Sequence, residues 1–372
     1  MKLLVFPRDK NPYQELLYCE LRKLGVPCRY AGALTPARPL SLLLLPLELV
    51  FCRLRGWSVL HVHWVFGFKL PGSSLLPWLR VVSQWWFGCV LAVARLLRIH
   101  VVWTAHNTLP HERVFHDDIA ARRALVRASE LVFVHSPAAL PGLAALGANP
   151  RRIAEIPFGT FAQADGSGPL PAPGSGGRPR TVLFLGKLLE YKGIEDLLAV
   201  AATLPDDVPL RIVVAGQCRD ARLRKRLRQL ARQAGERVEL QLGHVAGGDL
   251  ADLFASADAA VLPFRRVTTS SSAMLALAHG RPVIVPDVAS FADVPAMAAL
   301  RYDGTRAGLR AALLGVCDMS SQELARAGEA ARAFAGRHSW SDAAQATVRA
   351  LQRELPSATP GTSLDRAHPG AP

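Results

Sequence analysis

TVLFLGKLLEYKGIEDLL, residues 181–198, reads as one complete unit of architecture. Val182 to Leu185 form a buried strand and Gly186 ends it; Lys187 and Lys192 follow, and Gly193 opens a helix with apolar positions at Ile194, Leu197 and Leu198. A strand that passes through glycine into a helix is the first half of a β-α-β unit, and such units build parallel sheets. Cations beside a helix N-terminus make an anion site. The chain has 44 basic residues but only seven lysines (2, 10, 23, 69, 187, 192 and 225), so two of them in one short loop favour a phosphate contact over a pair of solvated side chains.

The same alternation continues in both directions. Toward the C-terminus come LRIVVAG (210–216), a basic helix over 221–234, VELQLGH (238–244), a helix over Asp249–Ala255, AAVLPF (259–264), a helix over 271–279 and RPVIVPD (281–287). Toward the N-terminus, residues 162–180 (AQADGSGPLPAPGSGGRPR) have linker chemistry. Before them lie KLLVF, a helix over Tyr13–Leu24, SVLHVHW, HVVWTAH, ELVFVHS and RIAEIPFG. The fold class is therefore α/β, with two doubly wound, Rossmann-like domains facing a cleft. Their expected bounds are 1–161 for an N-terminal domain, 162–180 for the linker, 181–355 for a C-terminal domain and 356–372 for a disordered tail.

Bulk properties narrow the function. At 372 residues the chain suits two cores. Half of it is apolar and the formal charge is +14. The densest basic run, RDARLRKRLRQLARQ (219–233), has no aromatic interleaving, so nucleic acid is not an expected partner; anionic lipid or a diphosphate explains the charge as well. The six cysteines are scattered without metal spacing, which fits a reduced cytoplasm. MKLLVFPRD turns charged after six residues and reads as a first strand, not a signal peptide. Of two long apolar stretches, 39–51 is too short to span a bilayer and carries Glu48. The other, 75–98, is interrupted by Arg80, Gln84 and Arg95. The second combines three tryptophans with arginines, as an interfacial helix would, with an ordinary core helix as the competing reading.

Two segments concentrate chemistry. FRRVTTSSSAMLALAHGRPVIVPD places five hydroxyls, Thr268, Thr269, Ser270, Ser271 and Ser272, ahead of a helix. A cap needs one, so the run suits a diphosphate, with Arg265 or Arg266 adding charge. VVWTAHNTLPHER (101–113) leaves a strand at His106 and Asn107 and then carries His111, Glu112 and Arg113. A polar pair at the carboxyl end of a buried strand is where α/β sites sit. The competing reading has His111 to Arg113 starting the next helix. His61 and His63 share one strand face, as an acceptor contact or a satisfied core pair; His135 and Ser136 end another strand, and His244 a third, where a nucleotide base or ribose would dock.

On these motifs the chain resembles the GT-B glycosyltransferases, particularly relatives of family four: a strand-G-K-x4-K-G signal, an ADAAVLPF strand and a helix followed by HGRPVIVPD. The resemblance covers most of residues 1–350. It implies that the N-terminal domain binds the acceptor and the C-terminal one the nucleotide-sugar, that Lys187 and Lys192 grip a donor diphosphate, that the 268–272 segment supplies amides and hydroxyls, that His106 contacts the donor and that no bound metal or other cofactor is needed. Retaining members carry two glutamates eight positions apart; here those positions are Val267 and Leu275. The departure brings the chain closer to inverting exopolysaccharide enzymes of the β-mannosyl and glucuronosyl type, acting on lipid-linked sugars. Inversion is a single displacement and needs one general base. The candidates, in order, are Glu112, His111 and Asp117.

The expectation is thus a glycosyltransferase that takes a sugar from GDP-mannose or a UDP-sugar to a lipid-linked saccharide. It would be cytoplasmic, with peripheral contact to the inner face of the plasma membrane. Two other readings stay open: a nucleotide-sugar 2-epimerase-like enzyme and a non-catalytic partner subunit that binds sugar nucleotide.

Overall fold

Apolar runs of four to seven residues become strands, and the segments with a 3.6-residue period become the helices between them. A computed structural model of the chain describes residues 1–9, 12–108, 113–160, 178–245 and 247–355. In order, the first series is β1 (Leu3–Phe6), α1 (Pro12–Lys23), β2 (Cys28–Tyr30), α2 (Arg38–Leu43), α3 (Leu45–Leu54), β3 (Val59–Val62), α4 (Trp78–Leu96), β4 (His100–Thr104), α5 (Asp118–Ala128), β5 (Ser129–Val134), α6 (Leu140–Ala145) and β6 (Ile153–Glu155). The second begins with β7 (Arg180–Leu185), α7 (Ile194–Ala201), β8 (Leu210–Gly216), α8 (Ala221–Gln233), β9 (Val238–Leu242) and α9 (Gly247–Ser256). It continues through β10 (Ala259–Val261), α10 (Ser271–Ala278), β11 (Val283–Pro286), β12 (Ala299–Tyr302), α11 (Arg306–Asp318), α12 (Ser321–Gly336) and α13 (Trp340–Glu354).

Both sheets are six-stranded and parallel, ordered β2-β1-β3-β4-β5-β6 and β12-β11-β10-β7-β8-β9. Strand order reverses between β1 and β3 in the first sheet and between β7 and β10 in the second. These are the places where the loops at the carboxyl ends diverge and leave a crevice. The central strands β1, β3, β10 and β11 are buried at every position, as expected of parallel strands covered on both faces.

The chain divides into two compact units. One comprises Met1–His135, Ala139–Ile156 and the chain from Ser341 onward; the other comprises Ser136–Ala138 and Pro157–Trp340. Each has its own core, centred on Leu60, Trp103 and Val132 in the first and on Phe184, Val214 and Ile284 in the second. The last helix differs from the sequence expectation: α13 follows the second domain in sequence but groups with the first unit. The expected linker, from 162 to 177, and the tail from 356 lie outside the described residues, as do His111 and Glu112. Strands β2 and β12 and helices α11 to α13 add to the elements that periodicity alone defines.

Candidate active site

In the second unit, the site grows from the loop after β7. Gly186 has φ +145° and Gly193, which opens α7, has φ +68°, both in the region that glycine enters without a Cβ penalty. At Gly193 a Cβ would lie 1.8 Å from the carbonyl oxygen of Pro263, which follows β10. The two loops at the strand-order reversal are therefore held backbone to backbone. A Cβ on Gly186 would lie 2.9 Å from Lys192 Nζ and 3.0 Å from Ser272 Oγ. Bare backbone, an ammonium group and a hydroxyl thus converge at one point.

Lys192 Nζ stands 5.9 and 5.5 Å from the ring centroids of Phe184 and Phe264, which partly offset the loss of water. Burial, reinforced by the charge of Lys187, lowers its pKa to about 8. Among the described residues this half-buried cation has no carboxylate paired with it, an arrangement able to take up an anion. Lys187 itself is exposed.

Of the hydroxyl run, Ser270 caps α10 by accepting a hydrogen bond from Ala273 N at 3.1 Å. Ser271 and Ser272 form its first turn, and the Thr269 hydroxyl oxygen is buried with no hydrogen-bond partner among the described residues. One hydroxyl serves as the cap, as propensity requires, and that of Thr269 is not spent on it. Arg265 departs from the expectation: Asp196 accepts from it at 2.7–2.8 Å and also from Arg306, so its charge is spent in an ion-pair network. His244 is exposed at the end of edge strand β9, two strands from β7, and lines a hollow of about 560 Å³ with Asp249 and Asp252. The HGRP sequence after α10 is structural. Gly280 takes φ +66°, and Arg281 donates to the carbonyls of Phe254 and Ala255 at the end of α9.

In the first unit the carboxyl ends of β3, β4 and β5 bring four histidines together. His61 and His63 lie 4.3 Å apart by ring centroid, His63 and His106 5.4 Å, and His106 and His135 5.4 Å. Trp64 stacks on His106 at 4.6 Å and 16°, and Tyr13 from α1 stands edge-on at 4.7 Å. His135 Nδ1 donates to Ile156 O at 2.9 Å. Burial drives all four pKa values down, to about 3 for His61 and about 4 for His135, with mutual repulsion adding at His63 and His106; the rings are neutral at pH 7.

A single hydroxyl organises three of these rings. Tyr18 Oη lies 2.7 Å from His61 Nδ1 and 2.5 Å from His63 Nε2; His61 Nε2 meets Thr104 Oγ1 at 2.7 Å, and His63 Nδ1 meets His106 Nε2 at 3.1 Å. Tyr18 has one proton to give. If it donates to His63, then His63 Nδ1 donates to His106 Nε2, His61 donates back to the phenol oxygen, and His106 carries its proton on Nδ1. If it donates to His61, every polarity reverses and His106 Nδ1 becomes an acceptor. The tautomers form one two-state variable, and the remaining nitrogen of His106 reports it.

Asn107 is half-buried beside His106. Asp117 is the N-cap of α5, its Oδ1 accepting from Ile119 N and Ala120 N at 2.9 Å. Because α5 begins only at Asp118, Arg113 precedes the helix and does not start it. Glu112 and His111 lie outside the described residues. Three contributors were missed by reading the sequence. Tyr13 and Tyr18 sit within an ordinary amphipathic helix. Arg122, buried on α5, donates to Thr108 O at 3.1 Å and fixes the loop after His106 from beneath. Only the unusual placement of an arginine on the inner face of α5 would have signalled the last.

Two doubly wound units, the second with a phosphate-type loop at its strand-order reversal, define the α/β architecture of the GT-B class. Residues 179–318 match the family described as glycosyl transferases group 1. Over 116 residues the chain is 32% identical to an uncharacterised glycosyltransferase of Methanocaldococcus jannaschii, covering 31% of this chain and 29% of the relative. It thus spans less than a third of that relative's length. Sucrose-phosphate synthase from Thermosynechococcus elongatus has a similar structure (TM-score 0.69, 20% identity, 96% of this chain and 99% of that one). So does Anabaena HepE in complex with UDP and glucose (TM-score 0.66, 14% identity, 95% and 100%). Trehalose-6-phosphate synthase, studied for glycosyl transfer with retention, also matches (TM-score 0.65, 11% identity, 95% and 99%).

Proposed function

We propose that this protein is a glycosyltransferase that moves a sugar from a nucleotide-sugar donor, GDP-mannose or a UDP-sugar, to a lipid-linked saccharide on the cytoplasmic face of a membrane, with inversion. The observation that carries the reaction class is the convergence of Lys192, Ser272 and the bare backbone of Gly186 inside the segment that matches a glycosyltransferase family. In the reaction the bond from the anomeric carbon to the donor phosphate breaks as a bond to the acceptor oxygen forms. The leaving nucleoside diphosphate gains charge, which Lys192 and the α10 N-terminus stabilise. The acceptor proton goes to a base on the first unit, with Glu112 as first candidate, His111 as second and Asp117 as third.

Inversion rests on Val267 and Leu275, which cannot act as the carboxylates that retaining relatives place there. The retaining chemistry of trehalose-6-phosphate synthase belongs to that protein. The UDP bound by HepE makes a UDP-sugar the first donor to try. None of the relatives named above is an epimerase. Thermal shift against UDP, GDP, dTDP and CMP tests the reading, because a ligand of the native state raises its melting temperature by linkage. One nucleotide series should stabilise the protein, and the matching labelled donor should then transfer its sugar to lipid extract. A chain that no nucleotide stabilises would overturn the proposal.

A further inference from the structure

Helix α3 is apolar on both sides. Leu45, Leu49 and Cys52 face the core, while Leu47 (67% exposed), Val50, Phe51 and Leu54 (82% exposed) face outward at helical spacing. A helix hydrophobic all round is ordinarily buried all round. Helix α4 repeats the pattern: Phe87, Val90, Leu91 and Ala94 are buried, whereas Trp78, Val81, Val82 and Trp85 (65% exposed) form an outer stripe. The helices α2, α3 and α4 pack side by side, and Trp86 Nε1 donates to Leu42 O at 2.9 Å, tying α4 to α2. Their outer stripes are far richer in large apolar side chains than a monomer's surface needs to be.

Within residues 38–98 the charge has one sign, and the exposed acid that meets α4 from outside them is Asp117, whose N donates to Gln84 Oε1 at 2.8 Å. Residues 38–98 hold seven cations, Arg38, Arg53, Arg55, Lys69, Arg80, Arg95 and Arg98, and a single acid, Glu48. Glu48 is buried and accepts from Gly32 N at 2.7 Å and from Arg29 at 3.5 Å, so it neutralises nothing at the surface. Arg55 lies over the Phe51 ring, 3.7 Å from its centroid, with its charge among the exposed apolar residues.

We propose that the outer face of α2, α3 and α4 docks on an anionic lipid bilayer. Exposed tryptophans, aliphatic side chains and arginines, with no exposed acid on the three helices themselves, match a headgroup region in polarity and charge. A second copy of the chain, related by a two-fold axis, would set these cations against one another. The two longest segments outside the described residues, 161–177 and 356–372, hold only Phe161, Leu170 and Leu364 as large apolar side chains, few beside the apolar residues that three helices expose. Helix α4 is long and apolar enough to cross a membrane, but its inner side chains belong to the core, so it lies on the bilayer and does not span it. The inference deepens the reading above by naming the surface that meets the acceptor's membrane, yet it stands on exposure and charge alone.

The test is co-sedimentation of the full chain with phosphatidylcholine vesicles, with and without phosphatidylglycerol. Binding should require the anionic lipid and weaken with salt, and brominated lipid should quench the tryptophan emission. Leu54→Ser combined with Trp85→Ser should lower vesicle partition at least tenfold while leaving the nucleotide-induced thermal shift unchanged. Failure of the wild type to bind anionic vesicles, binding indifferent to the double substitution, or lipid-independent dimerisation through this face would each overturn the proposal. Because vesicle binding needs no donor, its loss alongside an intact nucleotide response sinks this inference and not the reaction.

Discussion

In the proposed function, Lys192 is the residue on which donor binding would turn. Its pKa of about 8 lies below the 10.5 of a free lysine, so burial opposes its charge and an arriving diphosphate restores it. Affinity for the nucleotide should be constant below pH 8 and fall by up to tenfold per unit above it, as the free protein loses the proton that the complex keeps; calorimetry from pH 7 to 10 reads this, with proton uptake on binding near pH 8. Stability of the free protein runs the other way. Between pH 8 and 10.5 the unfolded state holds the extra proton, so this group's contribution makes folding more favourable as pH rises. Lys192→Met should therefore weaken nucleotide binding by about ten- to a hundredfold without lowering the melting temperature. A fall in both would mark Lys192 as structural.

Among the elements, α1 does more than cover the sheet. Tyr18→Phe leaves buried nitrogens on His61 and His63 without their shared partner and should cost roughly 2–4 kcal/mol in urea unfolding. Nitrogen chemical shifts of His106 should also change, since its tautomer is tied to the phenol through His63; unaltered shifts in the folded variant would break that chain. The loop from β7 to α7 was legible because its meaning is local: strand, glycine, spaced lysines and helix lie within eighteen residues of one another. The hydroxyls before α10 were legible for the same reason. The histidine cluster was not, because Tyr18 and His63 are 45 positions apart and nothing in HVHW tells a satisfied pair from a ligand set. Arg265 was misjudged similarly: its partner Asp196 lies 69 positions away. Strand β2, only three residues long and half-buried, offers too short a run to stand out.

For the molecule as a whole, acid should be the weak side. Four histidines are neutral in the native state, His61 and His63 buried and His106 and His135 half-buried, whereas in the unfolded chain they titrate near 6.5. Their contribution to stability is complete above that value and is lost as pH falls toward about 4, with up to one proton taken up per histidine on unfolding. Urea titrations at pH 7, 6 and 5 should show a steepening loss; a flat profile would mean the rings are charged or exposed. Most of the alternation of strands and helices, the α/β class and the strand-glycine-helix turn after β7 follow from the sequence alone, because each rests on periodicity and spacing between near neighbours. Only the tertiary structure decided which histidines share a proton, which arginine is already paired and which apolar stripes stay uncovered. Periodicity shows that a helix face is apolar; what packs against that face depends on residues that are distant in the chain.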